Sequence, residues 1–145
     1  VQAMRNPDAP AVTEGDRTLS YQAFNMRVNR AAHALRALGV ARGVRVAILS
    51  ENRTEYVELE FACAKIGAIA SALNWRLADP ELAHCIRLVA PAIVVVSPRF
   101  ASALERVDHC VSCVLPLGAP YESALAAAPS TVPELSPSSS ASIIA

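Results

Sequence analysis

Two short apolar runs separated by a helix-length stretch constrain this chain more than anything else in it. Val44 to Leu49 is apolar apart from Arg45, Thr54 to Ile66 has room for roughly three and a half helical turns, and Ala68 to Leu73 is a second largely apolar run. A strand with one wet face alternates apolar and polar residues, because successive side chains point to opposite sides. These runs do not alternate. They predict parallel strands with helices over both faces, a β-α-β unit closed by Gly67 at the end of its helix.

A chain of 145 residues with 53% hydrophobic and 18% charged side chains has the means to build one domain with a real core. Its apolar runs are far shorter than the roughly 20 residues that cross a bilayer, so no transmembrane segment is expected. Thirteen basic and thirteen acidic residues cancel, which argues against an electrostatic hold on nucleic acid or an acidic membrane surface. Without a signal-peptide pattern, Cys63, Cys85, Cys110 and Cys113 are expected as reduced thiols in a cytoplasmic protein.

Along the chain, Val1 to Asn6 has the character of a last helical turn, and Pro7 and Pro10 forbid regular helix after it. Ala11 to Thr13 and Arg17 to Leu19 flank Glu14-Gly15-Asp16, a hairpin signal. From Tyr21 the period becomes helical through Phe24, Val28, Ala31, Ala32, Leu35 and Leu38, with Ser20 as N-cap and Gly39 as stop. Glu55 and Glu58 favour the positive end of the next helix. Asp79-Pro80-Glu81 reads as a cap with Pro at the first helical position, opening a helix to about Leu88. Ile93 to Val96 is a third strand, Arg99 to Val107 a helix, Val111 to Leu115 a fourth strand and Tyr121 to Ala128 a short helix. Residues 1–128 thus form one α/β segment, a mostly parallel doubly wound sheet with flanking helices and an N-terminal β-hairpin. Residues 129–145 read as a Pro/Ser-rich linker leading to a strand just begun at Ile143.

Three segments in order resemble the N-terminal region of the adenylate-forming superfamily, its acyl-CoA synthetase branch in particular. Leu19-Ser20-Tyr21-Gln22-Ala23-Phe24 is similar to the family's Leu-Ser/Thr-Tyr-x-Glu-Leu motif, and Gly43-Val44-Arg45-Val46-Ala47-Ile48-Leu49 with Asn52 to its Gly-Asp-Arg-Val-Ala strand. Ala64-Lys65-Ile66-Gly67-Ala68-Ile69 through Asn74-Trp75-Arg76-Leu77 resembles Lys-x-Gly-Ala-x-x-x-Pro-Leu-Asn-x-x-Leu. Departures are structural: Ala23 stands where a Glu would complete a capping box, worth about 1 kcal/mol or less, and Ala72 replaces a frequent Pro.

The resemblance implies a parent enzyme that activates a fatty or aryl carboxylic acid with ATP and Mg²⁺ to an acyl-adenylate, then passes the acyl group to the CoA thiol. The family's phosphate loop, adenine-stacking aromatic, ribose-binding Asp and mobile lysine belong to segments after the matching region, and Ala141-Ser142-Ile143-Ile144 resembles the strand before that loop. The chain is therefore expected to be a truncated scaffold holding no catalytic residue and no cofactor, inactive alone.

Local candidates agree. Ser136 to Ser140 has neither the glycines nor the lysine that a phosphate-wrapping loop uses. Lys65, the only lysine, sits at a helix end where a cation is favoured, which is a structural role. His109-Cys110-x-x-Cys113 has zinc-knuckle spacing but lacks a second pair, and Cys110 and Cys113 would face opposite sides of a strand, so no metal site is expected. In parallel sheets ligands bind beyond the carboxyl ends of the strands. That rule singles out Ser50 to Arg53, Asn74 to Asp79 and Ser97 to Phe100, with Asn74, Trp75 and Arg76 as substrate-facing candidates: Arg76 for an anionic group of substrate or CoA, Trp75 over an apolar acyl group. The competing reading is a free-standing Rossmann-like or flavodoxin-like binding module, although Gly15, Gly39, Gly43, Gly67 and Gly118 form no Gly-x-Gly-x-x-Gly. An incomplete sheet leaves bare edges, so self-association is expected.

Overall fold

The structure is a computed structural model that describes residues 2–134. A single turn α1 (Gln2–Arg5) precedes the hairpin β1 (Pro10–Glu14) and β2 (Arg17–Ser20) and the long helix α2 (Tyr21–Ala37). Then follow β3 (Arg45–Leu49), α3 (Thr54–Ile66), β4 (Ile69–Ala72), α4 (Asp79–Val89) and β5 (Ile93–Val96). A 3₁₀ turn (Pro98–Phe100), α5 (Ala101–Arg106), β6 (Cys113–Pro116) and α6 (Ala119–Ala127) complete it. The hairpin is antiparallel; the main sheet is parallel throughout, in the order β4-β3-β5-β6.

Local signals set the element ends. Ser20 caps α2, its hydroxyl accepting the Ala23 N–H at 3.3 Å. Gly67 ends α3 at φ +71, and a Cβ there would lie 3.0 Å from Arg42 Cγ, so both conformation and space call for glycine. The N-cap of α4 is Ala78, one residue before the expected Asp79; the Glu81 carboxylate reaches back to its N–H at 2.9 Å and supplies the cap that Ala78 lacks. Asp79, inside the first turn, pairs with Arg106 on α5 at 2.8 Å. The alanine-rich helix starts at Ala119, two residues earlier than expected, because Gly118 at φ +96 turns the chain and Pro120 suits a first turn.

The strand runs explain the layers. In β3, Val46 and Ile48 face one core while Ala47 and Leu49 face the other; β5 divides Ile93 and Val95 from Val94 and Val96 in the same way. The first core is roofed by α2, α3 and α6 through Val28, Leu35, Leu59, Ile66, Tyr121 and Leu125, the second by α4 and α5 through Leu82, Ile86 and Leu104. Each fully buried Leu or Ile contributes about 1.5–3 kcal/mol. The outer strand β4 departs from expectation. Ile69 is 49% exposed, and Ala70 and Ala72 are exposed too, because the helices pack over β3 and β5 and leave the edge bare.

Between α2, α3 and α6 lies a polar knot. Glu58, fully buried, accepts from Arg27 and from the Tyr121 hydroxyl at 3.0 Å, and Arg27 also reaches Glu122. After α6 the chain turns back along α2, where Asn29, His33 and Arg36 hold carbonyls of residues 130, 131 and 134. The serine run Ser136 to Ser140 and the strand expected at Ile143 lie outside the described residues.

Candidate functional site

A parallel sheet opens a crevice where successive connections leave in opposite directions. Here that point lies between β3 and β5: from β3 the chain passes to β4 on one side through α3, then crosses back to β5 through α4 on the other face. The three loops singled out in the sequence all lie at this carboxyl end of the sheet, following β3, β4 and β5.

Their geometry is specific. Across the crevice Ser97, fully buried at the end of β5, donates its hydroxyl to Glu51 Oε2 at 2.6 Å. Burial pushes the Glu51 carboxyl up, but the Ser97 hydroxyl, a backbone N–H, Arg53 and Arg99 outweigh it and hold the group below the usual carboxylate range. Glu51 is thus ionised at neutral pH. Arg53 lies 3.8 Å from Glu51 and is doubly hydrogen-bonded to Glu55 at 3.2 Å, which raises the guanidinium's affinity for its proton.

The candidates Asn74, Trp75 and Arg76 form one unit. Asn74 Oδ1 accepts the Arg76 N–H at 3.0 Å, a side-chain turn that folds the Arg76 guanidinium back over the Trp75 ring, 4.7 Å from its centroid. Trp75 also stacks on Phe100 at 5.4 Å and 24°. Arg99, from the turn after β5, lies 5.3 Å from Trp75 and 5.4 Å from Phe100. Arg76 and Arg99 are exposed, and neither pairs with a carboxylate among the described residues. Two guanidinium groups are thus steadied on one indole with a charged carboxylate nearby, an arrangement whose chemistry suits contact with an anion. The Ser97 hydroxyl is itself fully buried and committed to Glu51.

Sequence reasoning reached the loops that hold Glu51, Ser97, Arg99 and Phe100 but gave individual roles only to Trp75 and Arg76, with Asn74 beside them. The available signal was position alone, since all four follow the ends of strands read correctly. Lys65 stands at the far end of α3, its ammonium donating at 2.6 Å to Asn25 and at 2.6 Å to Asn29. Cys110 lies in the exposed loop before β6 rather than on that strand, because β6 begins only at Cys113. Cys110 also borders a hollow of about 350 Å³ with Ile86, Arg87, Ala90, Pro91 and Val111, at the amino ends of β5 and β6 and so away from the crevice.

A family described as AMP-binding enzyme matches residues 1–144. The chain belongs to that family. Among curated relatives, a fatty acid–[acyl-carrier-protein] ligase, ScoC of Streptomyces coeruleorubidus, is 38% identical over 72% of the chain. A feruloyl-CoA synthase from an Amycolatopsis species is 39% identical over 71% of it. The chain spans about a fifth of the length of these relatives, 20% and 21%. Among solved structures, the N-terminal domain of FACL13 from Mycobacterium tuberculosis superposes with a TM-score of 0.87 at 29% identity, covering 92% of this chain and 36% of that one. The chain therefore resembles the N-terminal part of acyl-CoA ligases, with the mixed α/β architecture expected.

Proposed function

We propose that these residues form the opening wall of an AMP-forming acid–CoA ligase and present, at the carboxyl end of the sheet, a platform for an anionic portion of substrate or CoA. The observation that carries this reading is the convergence of Arg76 and Arg99 on Trp75 beside the crevice between β3 and β5. Arg76 contacts the anion; Trp75, with Phe100 behind it, gives the adjoining apolar surface. In the whole enzyme the reaction joins a fatty or aryl acid to AMP, using ATP and Mg²⁺, before transfer to CoA. The described crevice loops contain no glycine and no lysine, so they offer the phosphates of ATP no cradle. The nucleotide chemistry belongs to other parts of such an enzyme, and the 145-residue chain alone is inactive.

A domain graft tests this. With the matching stretch of FACL13 replaced by this chain, fatty-acid-dependent ATP–pyrophosphate exchange should survive within roughly tenfold, about 1.4 kcal/mol of barrier. In that graft Arg76→Ala should raise the KM for CoA roughly tenfold through loss of a charge-assisted contact, leaving exchange unchanged. A folded graft without exchange refutes the assignment, and exchange by the chain alone refutes its inactivity.

A further inference from the structure

One stripe of α2, running from Asn25 through Asn29 and His33 to Arg36, faces two things in turn: the end of α3 and the segment after α6. Asn29 is 2% exposed and uses both ends of its amide. Its Oδ1 accepts from Lys65 at 2.6 Å and its Nδ2 donates to the Ser130 carbonyl at 2.7 Å. His33 Nε2 lies 3.0 Å from the Thr131 carbonyl, and Arg36 donates to the Glu134 carbonyl. Every acceptor in the segment is main chain. Pro129 and Pro133 have no N–H to donate, and the carbonyls of Ser130, Thr131 and Glu134 are met by side chains of α2. Pro133 is buried whereas Val132 is 71% exposed, so the hold is not a general apolar collapse.

We propose that Asn29 and Lys65 form a keyed clasp that fixes the course of Ser130–Glu134, making Asn29 a positioning residue for the chain that follows. An amide can face either way, but an ammonium only donates. Lys65 therefore pins Oδ1 toward α3 and leaves Nδ2 aimed at Ser130. The consequence for activity rests on the ligase reading above: the clasp fixes the path of the chain as far as Glu134, and with it the point from which the rest of such an enzyme continues. The clasp itself does not rest on that reading.

The test uses the 145-residue chain and a glutamate-specific protease cutting after Glu134, whose carbonyl is the one Arg36 holds. Asn29→Asp keeps two acceptor oxygens for Lys65 and loses the donor to Ser130. It should leave the thermal midpoint unchanged or higher while accelerating cleavage roughly tenfold, as expected for an opened segment. Asn29→Gln, with donor and acceptor on a longer arm, should recover part of the protection, which a merely structural role for a small buried side chain would not. Should Asn29→Asp fold poorly, Lys65→Met removes the key at a half-buried position and should accelerate the same cut. Wild-type rates in Asn29→Asp, or in Lys65→Met where that variant stands in for it, overturn the clasp. So does acceleration confined to Arg36→Met, which would assign the hold to Arg36 alone.

Discussion

Arg27 reaches two carboxylates from one guanidinium, Glu58 in the core and Glu122 at the surface, and these pull in opposite senses with pH. Burial pushes Glu58 up, and Arg27 with the Tyr121 hydroxyl only partly offsets that, so Glu58 ends above its usual range. Removing Arg27 strands a buried carboxylate. Arg27→Met should cost about 3 kcal/mol at pH 7 in denaturant unfolding. The loss should shrink as pH falls and Glu58 takes up a proton instead; an equal loss at neutral and at acidic pH would contradict the account. Glu122 behaves oppositely, held low by its hydrogen bond to Arg27. Its contribution is complete above the unfolded value of 4.5 and fades as pH falls through the lower folded one, so Glu122→Gln should flatten the stability profile only on the acid side of 4.5.

At the scale of elements, α3 begins without a cap of its own, because Arg53 occupies the N-cap position and makes no side-chain bond there. Glu14, at the end of β1, supplies it from outside: its Oε2 accepts the Thr54 N–H at 3.0 Å and the Thr54 hydroxyl at 2.7 Å. Glu14→Ala should cost about 1 kcal/mol, while Thr54→Val, which keeps the N–H, should cost less. Thermal unfolding of both variants checks the order. This cap shows where sequence reading stopped. Period and glycine placement gave α2, α3 and the four parallel strands, since those signals are local and repeated. Glu14 and Thr54 lie 40 positions apart, with nothing in either neighbourhood to mark the partner. Glu51 with Ser97, and Arg27 with Glu58, Tyr121 and Glu122, were hidden for the same reason. The exposure of β4 was missed because a strand's composition does not say which place in the sheet it takes.

For the whole molecule, that outer place is the liability. Among the described residues nothing pairs with the outer side of β4, which presents a row of backbone groups beside Ile69, Ala70 and Ala72, side chains that give little obstruction to a neighbouring strand. Concentration-dependent association is expected in sedimentation velocity, and Ile69→Lys should lower it without changing the unfolding midpoint of the monomer. Association unaffected by Ile69→Lys would move the contact to β6 or to the helical faces.

The strand order carries one more implication. β3 is the first of the four to leave the ribosome, yet it ends up inside the sheet, with β4 and β5 on its two flanks and β6 beyond. Every later strand is therefore made after the neighbour it must pair with. The sheet can grow outward from a template already present during translation, with no inner gap held open for a latecomer.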